Sequence, residues 1–180
     1  EPKGLGDSAW QWQRSASGGV TWEYIAGATS DSYMPGDADV THLLRLKGTY
    51  QDGLEVTQTI FSAASTPVIN VNDLPAGYVA GIAGQVEEGS ELTAYATVTS
   101  DDDGLPAPLN FSFQWQSSTD GSVWSNITGA TNATFTPDAG DVGNFLRVQA
   151  SYTDLQGTQE TTTSAATPPV YAFGTSHLLS

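Results

Sequence analysis

Acidic and amide residues cluster where the sequence carries turn signals. Three consecutive aspartates precede a glycine at Asp101 to Gly104, and an Asp-Leu-Gln-Gly turn begins at Asp154. Ca²⁺ prefers carboxylate and amide oxygens and gathers about 6 to 8 of them. The candidate ligands are Asp37, Asp39, Asn70, Asn72, Asp73, Asp101, Asp102, Asp103 and Asp154. These residues predict Ca²⁺ as the cofactor.

Each aspartate also has a simpler interpretation. Asp and Asn are common turn residues, and a single one in an exposed loop needs no ligand. Three successive carboxylates beside the linker Asn70 to Asp73 differ, because crowded like charges repel one another unless a cation is present. The group therefore favours calcium, with the affinity of extracellular modules, about 10⁻⁴ to 10⁻³ M.

An internal repeat organises the chain that must position these residues. Gln11-Trp12-Gln13 recurs as Gln114-Trp115-Gln116, and after a one-residue length difference near Val20 the two copies match at a constant offset of 102 residues. Other matched pairs are Trp22 and Trp124, Tyr33 and Phe135, Asp39 and Asp141, Arg45 and Arg147, Tyr50 and Tyr152, and Asp52 and Asp154. A repeat of this size predicts two modules of one kind.

Each copy is predicted to consist of short strands separated by turn residues, without helices. In the second copy the predicted strands are 78–82, 91–99, 110–117, 122–127, 131–136, 144–153 and 158–165. Trp115 and its counterpart Trp12 take the place of the buried tryptophan of an immunoglobulin-like sandwich. Alternation from Leu146 to Ala150 predicts that Arg147 faces outward. The predicted fold is all-β, with two tandem immunoglobulin-like β-sandwich modules.

The predicted strand order also places the acidic loops. The loops at Asp101 to Gly104 and Asp154 to Gly157 return to the end of the second module where the linker enters. The turn Asp37 to Asp39 lies at the end of the first module that meets the same linker. We therefore expect the candidate ligands of both modules to converge there.

The first copy is shorter than the second at its beginning. It reaches its core tryptophan almost at once, so it lacks counterparts of the first two strands of the second copy. We expect a partial module at 1–69, a calcium-binding linker at 70–77, a complete module at 78–170 and a tail at 171–180. For the first of these we favour a module that an inserted domain splits in two. Three explanations are open for the missing strands: a fragment boundary inside the module, a domain inserted before Gly4, or a strand donated by the tail or a neighbouring chain.

Composition excludes several classes of partner. The chain has 20 acidic and 5 basic residues, a formal net charge of -15, so nucleic acid and anionic membranes are repelled. No apolar run approaches the ~20 residues that span a bilayer. There is no cysteine, so no disulfide can form.

No set of residues predicts catalysis. His42 and His177 belong to no metal-spaced cluster, and no Gly-x-Ser-x-Gly motif is present. The chain is therefore predicted not to be an enzyme. Trp22 and Trp124 would suit sugar stacking, but their shared place in the repeat favours packing.

The run Phe113 to Thr131, followed by Asp141 to Gly143 and Ser151 to Gly157, resembles the tandem immunoglobulin-like repeats of giant calcium-dependent bacterial surface proteins, including the RTX adhesins of marine bacteria. The linker Val71 to Gly77 is similar to the linkers between such repeats. This resemblance implies a secreted, cell-surface location, with neighbouring domains of the same adhesin as partners. It also implies a calcium-stiffened spacer or scaffold for ligand-binding domains; the alternative is a module that itself binds a glycan or peptide.

Overall fold

The computed structural model describes residues 8–174, in which every element except one is a β-strand. The exception is a single turn of 3-10 helix, η1, at Asp37–Asp39. The chain divides into two compact units, Glu1–Val71 and Asn72–Ser180. Within the described range, no helix is long and apolar enough to cross a membrane. The prediction of an all-β fold is confirmed.

The first unit contains one antiparallel sheet. Its strands are β1 (Ser8–Ser15), β2 (Glu23–Tyr24), β3 (Leu43–Gln51) and β4 (Thr57–Phe61). They lie in the order β2-β1-β3-β4, with long pairings between β1 and β3 and between β3 and β4. Non-consecutive neighbours in this order show that the chain crosses over between β2 and β3.

The second unit contains two sheets. Its strands are β5 (Val79–Ala83), β6 (Leu92–Thr97), β7 (Ser112–Ser118), β8 (Ser125–Asn126), β9 (Thr134–Phe135), β10 (Phe145–Thr153) and β11 (Gln159–Thr163). One sheet has the order β11-β10-β7-β8 and the other the order β5-β6-β9. These orders correspond to the two sheets of an immunoglobulin-like sandwich.

The core of the second unit lies between its two sheets. Trp115, Leu146 and Val148 are completely buried on one sheet, and they share a cluster with Leu92 and Ala94 of the other. Burial alternates along β10, which confirms that its apolar residues face inward. Truncating a buried tryptophan to alanine typically costs about 3 to 5 kcal/mol, so Trp115 is a principal source of stability.

The two copies of the repeat make the same side-chain contacts. The indole nitrogen of Trp12 donates to Ser30 O at 3.0 Å, and that of Trp115 donates to Asn132 O at 3.0 Å. In both copies an arginine Nε donates to a glutamine on the neighbouring strand, at 2.7 Å from Arg45 and 2.6 Å from Arg147. The sequence repeat is therefore also a repeat of local structure.

The described part of the first unit has no counterparts of β5 and β6. Trp12 remains partly exposed, whereas Trp115 is fully buried, and Ile60 on the same face is 51% exposed. Residues 8–71 thus form the sheet that carries the core tryptophan, without a second sheet over it. The tail residues 175–180 and the Gly4 to Gly6 loop lie outside the described residues, so the explanations involving them stay predictions.

Candidate metal centre

Two loops meet at one end of the second unit. One connects β6 to β7 and contains Asp101 to Gly104; the other joins β10 to β11. The amide of Leu155 donates to Gly104 O at 3.1 Å. Gly104 has a φ of +93°, and a Cβ there would lie 2.8 Å from Leu155 Cδ1. The left-handed φ favours glycine at this position, and a Cβ would also lie 3.2 Å from Leu155 Cβ.

Asp103 is the most deeply buried acidic side chain of this end. It is 2% exposed, and its Oδ2 accepts a hydrogen bond from the amide of Asp73 at 2.7 Å. Its Oδ1 is buried and finds no hydrogen-bond donor among residues 8–174. The carboxylate oxygens of Asp73 and Asp103 come within 4.8 Å of each other. A buried carboxylate oxygen that accepts no hydrogen bond and lies beside a second carboxylate is a suitable ligand for a cation.

Asp101 faces a buried phenol. Its Oδ1 accepts from the amide of Asp103 at 3.0 Å, and its Oδ2 accepts from the hydroxyl of Tyr152. Burial first, and then this hydrogen bond, raise the pKa of Tyr152 above its ordinary value. The phenol is therefore a hydrogen-bond donor that orients Asp101.

Asp154 holds the β10–β11 turn with one oxygen only. Its Oδ1 accepts from the amides of Gln156 and Thr158, both at 2.8 Å. Its Oδ2 is buried, and nothing in the described chain donates to it. The side chain is 5% exposed, so water has little access to this oxygen.

Glu160 is a buried acidic residue that was not among the predicted ligands. It lies on β11, is 5% exposed, and its Oε1 accepts from Asn72 Nδ2 at 2.8 Å. Burial, and then the charge of Glu160, raise the pKa of Tyr78 to about 12. The repeat could have identified this residue, because Glu160 replaces the Gln58 of the first copy at the corresponding position.

The second unit has almost no positive charge to balance these carboxylates. Arg147 is the only lysine or arginine from position 72 to 180. Its guanidinium bonds to Gln116 and lies 4.4 Å from the centre of the Trp124 ring. Buried carboxylates without a positive partner are costly, whereas a hard cation with oxygen ligands would stabilise them. The residues present therefore fit Ca²⁺.

The predicted ligands of the first unit have different surroundings. Asp39 is 1% exposed and accepts from the Tyr33 hydroxyl at 2.6 Å, from the Gly36 amide at 3.2 Å and from Arg14 at 3.4 Å. Protein donors thus satisfy Asp39. Asp37 lies in the same turn, η1.

The remaining predicted ligands are Asn70, Asp102 and Asn72. Asn70 has a buried side-chain oxygen without a donor in residues 8–174. Asp102 is exposed, as its turn-residue interpretation expects, and Asn72 donates to Glu160. The structure brings Asn72, Asp73, Asp101, Asp103 and Asp154 to one end of the second unit. Convergence with Asp37, Asp39 and Asn70 stays a prediction.

The other side chains considered for chemistry have structural contacts. Arg45 lies 4.2 Å from the centre of the Trp22 ring, as Arg147 lies over Trp124. His42 Nδ1 is 3.0 Å from Val40 O. His177 lies outside the described residues.

The second unit coincides with a known sequence family. The model of that family, described as Domain of unknown function (DUF8696), matches residues 79–168, which begin at β5 and end shortly after β11. No curated protein matches the chain. Since the match covers half of its residues, the chain belongs to the DUF8696 family.

Proposed function

We propose that this chain is a structural spacer or scaffold of a large bacterial cell-surface adhesin, and that Ca²⁺ rigidifies it. The observation that carries the proposal is the pair of buried oxygens, Asp103 Oδ1 and Asp154 Oδ2, for which residues 8–174 offer no donor. Leaving a buried polar group unpaired costs about 1 to 3 kcal/mol, and more for a charged one. Binding of Ca²⁺ removes that cost.

A calcium site of the expected affinity would suit a location outside the cell. Calcium modules of extracellular proteins bind at about 10⁻⁴ to 10⁻³ M, an affinity that works only where calcium is abundant. The absence of cysteine agrees with stabilisation by core packing and metal rather than by disulfides.

The outer faces of the sheets support a structural role over ligand binding. Arg45 and Arg147 cover one face of Trp22 and Trp124, the aromatic rings that would suit a sugar. The proposal therefore assigns ligand binding to neighbouring domains of the same adhesin and no catalytic role to this chain.

Calorimetric titration of the full chain with Ca²⁺ tests the proposal. We expect binding in the range of about 10⁻⁴ to 10⁻³ M. Asp103→Asn should weaken it at least about tenfold, because a buried charged ligand is lost. Glu91→Gln removes one charge at an exposed position outside the candidate ligands and is the control, expected to leave the affinity unchanged.

Absence of calcium binding by the wild-type chain, or equal loss in both variants, would reject the site. Glycan and peptide arrays, probed with calcium and with chelator, test the spacer role separately. A spacer gives no specific signal on these arrays. A specific calcium-dependent signal would instead show that the chain binds a glycan or peptide.

A further inference from the structure

The two copies build the same hairpin around an aspartate. Asp52 follows β3 and its Oδ1 accepts from the amides of Leu54 and Val56, at 2.9 and 3.1 Å. Asp154 follows β10 and makes the corresponding bonds two and four residues later. The strand registers agree, since Tyr50 pairs with Gln58 and Tyr152 pairs with Glu160. The second oxygen of each aspartate can therefore be compared directly.

The copies differ at the residue that faces this second oxygen. In the first unit, Gln58 Nε2 donates to Asp52 Oδ2 at 2.9 Å. This bond is the leading cause that holds the pKa of Asp52 below its ordinary value. The second unit has Glu160 at the matching position, and a carboxylate has no hydrogen to donate. Accordingly, Asp154 Oδ2 is left without a donor in the described chain.

The replacement also gives this hairpin of the second unit two buried carboxylates. Asp154 and Glu160 are each 5% exposed, and Glu160 occupies the strand position from which Gln58 reaches Asp52 in the first unit. Asn72 donates one hydrogen bond to Glu160. That single amide does not balance two charges, and Arg147 is occupied elsewhere. Two buried like charges on one hairpin repel each other unless a cation lies between them.

We propose that Asp154 and Glu160 are paired ligands of one divalent cation of the calcium class, and that the corresponding hairpin of the first unit binds none. The assignment rests on the proposed function, because it names a ligand pair of that metal site. The two copies thus differ by a single exchange between glutamine and glutamate. With Gln58, the hairpin itself donates a hydrogen bond to the second oxygen of its aspartate. With Glu160, that oxygen requires a metal ion.

Glu160→Gln in the full chain tests this assignment, because it reproduces the hairpin of the first unit. We expect the affinity for Ca²⁺, measured by calorimetric titration, to fall at least about tenfold. In EGTA the variant should unfold at a higher temperature than the wild type, because the new amide donates to Asp154. Glu91→Gln removes the same charge at an exposed position and should change neither quantity.

The outcomes separate the two proposals. If the wild-type chain binds no calcium, the proposed function fails. If the wild type binds calcium and Glu160→Gln binds it within about twofold, the function stands and the pairing is wrong. A lower unfolding temperature of Glu160→Gln in EGTA also overturns the pairing, since the amide would then not replace the cation.

Discussion

At the residue scale, the carboxylates of the second unit combine deep burial with missing donors. Asp103 and Asp154 were predicted as ligands from the composition of their turns and from the strand order that returns both loops to the linker end. Glu160 was not predicted, because a lone glutamate in a strand is usually an exposed residue. Its burial depends on the sheet packed against β11, which composition does not reveal. Comparison with Gln58 would have identified it.

The pKa of Tyr78 responds to the charge of Glu160. Its pKa is raised to about 12, first by burial and then by Glu160. Because the folded pKa lies above that of the unfolded chain, about 10, its contribution to stability is complete below pH 10 and is lost as the pH rises through about 12. Glu160→Gln should lower the pKa of Tyr78, as measured by NMR titration of ¹³Cζ-labelled tyrosine in EGTA. Unchanged titration in that variant would contradict the placement of Glu160.

At the element scale, the long strands were predicted more accurately than the short ones. The strand predicted at 144–153 is observed as Phe145–Thr153. The strand predicted at 122–127 is reduced to Ser125–Asn126, because Asp120 Oδ1 accepts from the amides of Ser122 and Val123 and bends the preceding segment into a turn. A turn was predicted at Asp37 to Asp39, but its 3-10 helical form was not, since three residues produce no helical periodicity.

Contact between the two acidic loops depends on Gly104. Gly104→Ala should lower the calcium affinity several-fold, because its Cβ would lie 3.2 Å from Leu155 Cβ, tighter than an ordinary contact, and would shift the two loops apart. Gly143→Ala is the matched control: its φ of +86° is equally left-handed, but its Cβ meets nothing within 4 Å. Both substitutions should lower stability by about 1 kcal/mol or more through backbone strain. Calorimetric titration with Ca²⁺ distinguishes the two variants. Equal calcium affinities of Gly104→Ala and Gly143→Ala would show that the contact between the loops does not support the site.

At the scale of the whole molecule, two copies of one sequence pattern have diverged in what stabilises them. The first unit retains four of the five basic residues of the chain, and its Asp39 and Asp52 have protein donors. The second has a complete sandwich core but a nearly uncompensated acidic end. The repeat and the all-β fold could be predicted from the sequence. The distribution of satisfied and unsatisfied carboxylates could not, because it depends on single hydrogen bonds.

Thermal unfolding of the full chain in calcium, compared with EGTA at equal ionic strength, tests the central claim most directly. With 10 mM Ca²⁺ at about 10 to 100 times the dissociation constant, binding adds about 1.4 to 2.7 kcal/mol of stability. A unit of this size should then unfold about 5 to 20 °C higher. Sodium chloride alone should not reproduce the rise, although it screens the net charge of -15. Equal unfolding temperatures in calcium and in EGTA would contradict the claim that the second unit is stabilised by Ca²⁺.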